Sequence, residues 1–185
     1  MPLAPEGRLA IPALMLSLLL LRHAKSSWKN SALQDFERPL APRGKRAAPR
    51  VGAYMAAQGL SPDLVLSSTA VRARQTLDLV LPHLSGAPRI EYEGGLYLAT
   101  SADLLSRLRE LKSAARAVMI VGHNPGMQGL AVSLAHAGDG KMRKELAAKF
   151  PTAALAVIGF KAPDWSKVAP ATGTLTHFMA PKRLP

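Results

Sequence analysis

Two apolar runs constrain this chain more than anything else in it. Leu18-Leu19-Leu20-Leu21 leads at once into Arg22-His23, and Val118-Met119-Ile120-Val121 leads into Gly122-His123. A continuous apolar run that stops at turn residues is the pattern of a strand buried on both faces. In an open parallel sheet, ligands bind just beyond the carboxyl ends of such strands. Two histidines and an arginine are thus expected at one rim of one sheet. By composition that rim is suited to phosphate.

The intervening chain alternates between strand and helix patterns, so the fold class is α/β. The first strand is expected over Leu16 to Leu21. Residues 22–41 carry no period and include Trp28, Asp35 and Arg38-Pro39-Leu40; a patternless stretch after a strand is more often functional than idle. Pro42 to Gln58 reads as a helix with Ala47, Ala48, Val51, Tyr54 and Met55 inward and Gly59 just past its end. Pro49 conflicts with it unless the first turns bend or the helix starts late. Leu64-Val65-Leu66 reads as a strand. Ser67-Ser68-Thr69 offers caps for a helix with Val71, Leu77, Val80 and Leu81 inward.

Arg89 to Tyr92 is a third strand. A helix follows, capped by Thr100 or Ser101, with Leu104, Leu105, Leu108 and Leu111 on one face. After the strand Ala117 to Val121, Asn124 as cap and Pro125 as first residue open a helix that buries Met127, Leu130, Ala131 and Leu134, ended by Gly138-Asp139-Gly140. Lys141 to Lys149 is a short helix or a lid. Ala153 to Phe160 and Gly173 to Met179 close the chain as a hairpin-like edge. Residues 1–15 hold three prolines and read as a loose arm, leaving 16–185 as a single domain. The run Leu14 to Leu21 resembles the core of a signal peptide, but no small-residue cleavage site follows it. It is also too short to span a bilayer, so no membrane association is expected.

The chain has no cysteine, which excludes disulfides and thiolate metal sites and suits a cytoplasmic location. His83, His136 and His177 have no ligand-like spacing, so no metal is expected. The formal net charge is +12. Its basic residues are scattered, with small clusters at Arg43, Lys45, Arg46, Arg50 and at Lys141, Arg143, Lys144, and no interleaved aromatics. Solvated helix faces and a phosphate pocket account for that charge better than nucleic acid, for which no binding is expected.

The chemistry rests on a few side chains. Arg22 offers a planar fork of donors matched to phosphate oxygens, and a neutral His23 imidazole can attack phosphorus. His123 precedes a helix start, whose free N–H groups favour an anion. Arg72 and Arg74 lie two residues apart, so a helix turns one of them to the rim, and Arg72 is nearer the strand end. Lys25 either steers anions or is simply solvated, and Trp165 anchors a loop.

Five stretches then occur in order: Leu20-Leu21-Arg22-His23-Ala24-Lys25-Ser26-Ser27-Trp28, Asp35-Phe36-Glu37-Arg38-Pro39-Leu40, Ser67 to Thr76, Leu96-Tyr97-Leu98-Ala99, and Val121 to Gly126. Together they resemble the histidine phosphatase superfamily, with its phosphoglycerate mutase-like fold, and within it the small SixA-type phosphohistidine phosphatases. The resemblance covers roughly residues 16–135. It implies three layers, with a mostly parallel central sheet flanked by helices on both faces. It implies a metal- and cofactor-free phosphatase in which His23 is the phosphorus nucleophile. Arg22, Arg72 and His123 would bind the phosphoryl group, with Asn124 and Gly126 in the following loop.

One departure concerns the proton donor. In many relatives a glutamate precedes the Leu-Tyr-like pair, where this chain has Gly95. Glu93 or Asp35 could substitute. A protonated imidazole leaves phosphorus more readily than an alkoxide, so a phosphohistidine substrate asks less of an acid. The expected substrate is a phosphohistidine protein. The alternatives are a small phosphomonoester, or a non-catalytic phosphate- or nucleic-acid-binding module.

Overall fold

The computed structural model describes residues 15–184, so all but the last residue of the expected N-terminal arm lies outside the described residues. Seven strands form one sheet: β1 (Leu16–Arg22), β2 (Leu64–Ser68), β3 (Arg89–Glu93), β4 (Ala117–Gly122), β5 (Ala135–Gly138), β6 (Leu155–Phe160) and β7 (Gly173–Met179). Their spatial order is β3-β2-β4-β1-β6-β7-β5. β1, β2, β3 and β4 pair in parallel, as do β5 and β7, while β6 runs against both β1 and β7. The α-helices among the described residues are α1 (Pro42–Ala57), α2 (Val71–Val80), α3 (Ser101–Arg109), α4 (Gly126–Leu134) and α5 (Gly140–Ala148). The mostly parallel α/β sandwich is as expected.

The period of two along the buried strands splits the core. Leu16, Leu18, Leu20, Val118 and Ile120 face α3, α4 and α5 through Leu104, Leu108, Leu130, Leu134 and Leu146. Leu19, Leu21, Met119 and Val121 face α1 and α2 through Ala48, Val51, Met55, Ala73 and Leu77. Every one of these residues is buried. Strands with no solvent face explain why the two runs lack polar alternation.

Several boundaries differ from expectation. α1 starts at Pro42 and continues past Pro49 to Ala57; burial of Ala48, Val51 and Met55 outweighs the hydrogen bond that proline deletes. Ser67 and Ser68 lie within β2, and α2 starts after Ala70 with no side-chain cap. Pro125, joined to Asn124 by a cis peptide, takes the capping position of α4, so Asn124 is not a cap. α4 ends at Leu134, and Ala135–Gly138 forms a short strand beside β7. That extra strand makes β5, not the β6–β7 pair, the sheet edge. Thr100 caps α3 as expected, in a reciprocal arrangement with Asp103.

Candidate active site

β1 and β4 are neighbours in register, with Arg22 opposite Gly122. Both therefore deliver their histidines to the same rim. The rings of His23 and His123 lie 5.0 Å apart, tilted by 50°, and both residues are buried.

His23 Nδ1 is 2.8 Å from the carbonyl oxygen of Ala24. A carbonyl only accepts, so Nδ1 carries the proton and Nε2 the lone pair. Arg72 Nε donates to that Nε2 at 3.3 Å. Burial, with lesser contributions from His123 and the two arginines, pushes His23 down to about 3, against the hydrogen bond that His23 donates to the Ala24 carbonyl, which acts the other way. Burial first, then Arg72, pushes His123 down to about 4. Both rings are neutral at pH 7.

The second imidazole reaches β2. His123 Nε2 is 2.8 Å from Ser68 Oγ, and Ser68 Oγ also accepts the amide of Ala70. His123 Nδ1, Arg22 Nε and Asn124 Oδ1 are buried and have no hydrogen-bond partner among the described residues. Buried polar atoms without partners are costly and call for a ligand or solvent. Arg22 is aimed by its own bond, Nη1 to the carbonyl of Phe150 at 2.8 Å. Asn124 Nδ2 donates to the same carbonyl at 3.1 Å.

Arg72 is buried at the start of α2. Asp35 holds it from the loop after β1: Nη2 donates to Asp35 Oδ2 at 2.8 Å and Nη1 to the Asp35 carbonyl. Tyr97 donates its hydroxyl to the same Oδ2 at 2.7 Å, and Arg38 Nη1 donates to Oδ1 at 2.7 Å. The hydrogen bond from Tyr97, then those from Arg38 and Arg72, hold the Asp35 carboxyl well below the usual carboxylate range. Asp35 is therefore ionised at neutral pH and has no proton to give. Glu93 is drawn away: Arg107 Nε and Nη2 grip both of its carboxylate oxygens, the shortest contact being 2.7 Å. Lys25 is exposed beside the rim. Arg74 turns outward onto the ring of Tyr92, 4.7 Å from its centroid.

Two close approaches hold these loops in place. A Cβ on Gly44 of α1 would lie 2.2 Å from the Lys25 carbonyl, and one on Gly126 of α4 would lie 2.0 Å from the Ala99 carbonyl. Only glycine fits at either contact.

The comparisons with known proteins agree with this geometry. Residues 18–96 match the family model of the histidine phosphatase superfamily (branch 1). A phosphohistidine phosphatase SixA, so named as a proposal, from Agrobacterium tumefaciens is 32% identical, with a TM-score of 0.73 over 89% of this chain and 97% of that one. The chain belongs to the histidine phosphatase superfamily. It is of the SixA type, a phosphatase that works through histidine. Another proposed SixA, from Nakamurella multipartitia, superposes with a TM-score of 0.78 at 27% identity, over 90% of this chain and 96% of that one. An uncharacterized protein of Mycobacterium tuberculosis is 34% identical over 164 residues, 88% of this chain and 100% of its own length.

Of the residues picked out in this SixA-type chain, Arg22, His23, Arg72, His123, Asn124 and Asp35 are brought to one rim, and Glu93 is paired elsewhere. Ser68, Tyr97, Arg38 and the Phe150 carbonyl were missed. Ser68, Tyr97 and Arg38 stand inside the motifs that carried the resemblance, which was the available signal. Phe150 acts through its backbone, and no side-chain pattern reports that. No group of three or more histidine, aspartate or glutamate side chains that could hold a metal occurs among the described residues. No helix among them is long and apolar enough to cross a membrane.

Proposed function

We propose that this phosphatase hydrolyses protein phosphohistidine through a covalent phosphoryl group on His23. The observation that carries the reading is the fixed tautomer of His23, whose Nε2 lone pair is free of a proton and faces Arg72. Nε2 attacks phosphorus, and the P–N bond to the substrate imidazole breaks as that ring leaves with its proton. Water then attacks phosphorus, phosphate departs, and the His23 lone pair is restored. Arg22 and Arg72 offset the charge on the transferring oxygens. If Ser68 donates its proton to His123 Nε2, His123 Nδ1 carries a hydrogen free for a phosphoryl oxygen. With Asp35 ionised and Glu93 on Arg107, neither of the two candidate carboxyl groups is poised to protonate an alkoxide. A phosphoramidate, whose leaving group arrives protonated, fits that arrangement better than a phosphomonoester.

The test is trapping. After incubation with a histidine-phosphorylated protein and an acid-free quench, phosphoryl label is expected on His23. Turnover of phosphohistidine is expected to exceed that of an unactivated alkyl phosphate. Full turnover by a His23→Ala variant would overturn the mechanism, and a preference for the alkyl phosphate would overturn the substrate class.

A further inference from the structure

Four large apolar residues are exposed among the described residues: Trp28, Tyr92, Leu98 and Val132. Single exposed apolar side chains are ordinary, whereas a gathering of them at a functional rim is not. Trp28 stands in the loop that follows His23, and Leu98 follows Tyr97, whose ring packs edge-on against His123 with centroids 5.4 Å apart. Trp28 is 70% exposed, and one face of its ring is stacked on the Arg38 guanidinium, 3.1 Å from its centroid. Arg38 is in turn fixed by Asp35 Oδ1, Ser26 Oγ and the Ser27 carbonyl. An unbroken chain of contacts thus runs from Trp28 through Arg38 and Asp35 to Arg72 and His23. Leu98 is 52% exposed and adopts φ 51°, a left-handed conformation that a leucine rarely takes. It follows Tyr97, which packs edge-on against Phe36 with ring centroids 5.1 Å apart. That contact joins the loop of Leu98 to the loop of Trp28. Strained backbone that displays an apolar side chain beside a reactive site is spent on function more often than on stability.

We propose that Trp28 and Leu98 form a docking edge that selects the substrate protein. The proposal rests on the phosphohistidine-protein reading above and names the surface that protein must present. The occupant is a folded protein whose phosphohistidine is bordered by apolar and acidic residues. The apolar part would cover the indole and the leucine. The acidic part follows from charge: Lys25 and Lys29, both exposed, stand in the same loop as Trp28, in a chain whose net charge is +12. An exposed aromatic side chain has only two rotatable bonds to freeze on binding, which is one reason such residues concentrate interface energy.

The test uses a carrier protein with one phosphorylatable surface histidine, made in two versions. One flanks the histidine with leucine and aspartate, the other with serine and lysine. p-Nitrophenyl phosphate reports the pocket alone. The full chain is expected to prefer the apolar-acidic carrier by at least about tenfold in kcat/KM, carried mostly by KM. Trp28→Ala and Leu98→Asn should each abolish most of that preference while changing p-nitrophenyl phosphate turnover by less than about twofold. Asparagine is chosen because it tolerates the left-handed backbone. Equal rates on both carriers, or a preference that survives both substitutions, would overturn the docking edge and leave the protein-phosphatase reading standing. A fall that is equal on p-nitrophenyl phosphate and on the carriers would also overturn the docking edge. Hydrolysis of p-nitrophenyl phosphate but of neither carrier would overturn the protein reading, and the docking edge with it.

Discussion

Asp35 holds Arg72 twice, by its carboxylate and by its own backbone carbonyl, across 37 positions of sequence. Both terminal nitrogens of Arg72 face the loop, which leaves Nε to meet His23. An Asp35→Asn variant keeps the shape and loses the charge-assisted hold on that fork. Its kcat/KM is expected to fall about tenfold, with no rise in the preference for good leaving groups. Steady-state kinetics on a series of aryl phosphates of graded leaving-group acidity would check this. A growing dependence on leaving group would instead mark Asp35 as a proton donor.

The two arginines should differ from lysine in kind. Arg22→Lys and Arg72→Lys retain a positive charge but lose the planar fork, and each is expected to cost at least about tenfold in turnover. Replacement of either by alanine should cost about a hundredfold or more. Inhibition by inorganic phosphate, measured alongside, should weaken in the same order.

Acid should unfold this protein sooner than its carboxylates alone would require. His23 and His123 have pKa values lowered to about 3 and about 4 in the fold, against about 6.5 in the unfolded chain. Below the unfolded value, the unfolded state takes up protons that the folded state refuses. Stability contributed by these groups is therefore present above pH 6.5 and is lost as pH falls towards 4 and 3. Between pH 7 and pH 5 the loss should be on the order of 1–2 kcal/mol per histidine. Urea midpoints at the two pH values would measure it, and a His123→Asn variant should show a flatter dependence. The nucleophile itself should remain unprotonated across this range, so kcat/KM on an acid-stable phosphate should not show a histidine limb near pH 6.5.

Gly126→Ala would bring a methyl group against the Ala99 carbonyl at 2.0 Å. α4 must then move away from the loop that carries Tyr97 and Leu98, and His123 moves with it. A loss of about 1–3 kcal/mol is expected, together with a fall in turnover under native conditions. Thermal melts and kinetics on the same sample separate the two effects.

The core strands could be read directly because their burial removes any alternation. β7 matches its expected span, and β1 and β4 differ from theirs by a single residue. β5 could not be read: Ala135-His136-Ala137-Gly138 is short and holds no large or β-branched apolar residue, and the strand exists because β7 lies beside it. The histidine pair and Arg72 were legible from strand ends and motif order. Asp35 was legible as a rim carboxylate but not as the partner of Arg72, because that pairing depends on how a loop without period folds back. Ser68 was misread as a helix cap because a serine before a helix offers the same hydroxyl to either use.

The position of β1 between β4 and β6 has a further consequence. The nucleophile hangs from the most enclosed strand of the sheet, so slow breathing of the molecule cannot displace His23 without opening both of its neighbours. β5, four residues long and outermost, can peel away while the chemistry continues undisturbed.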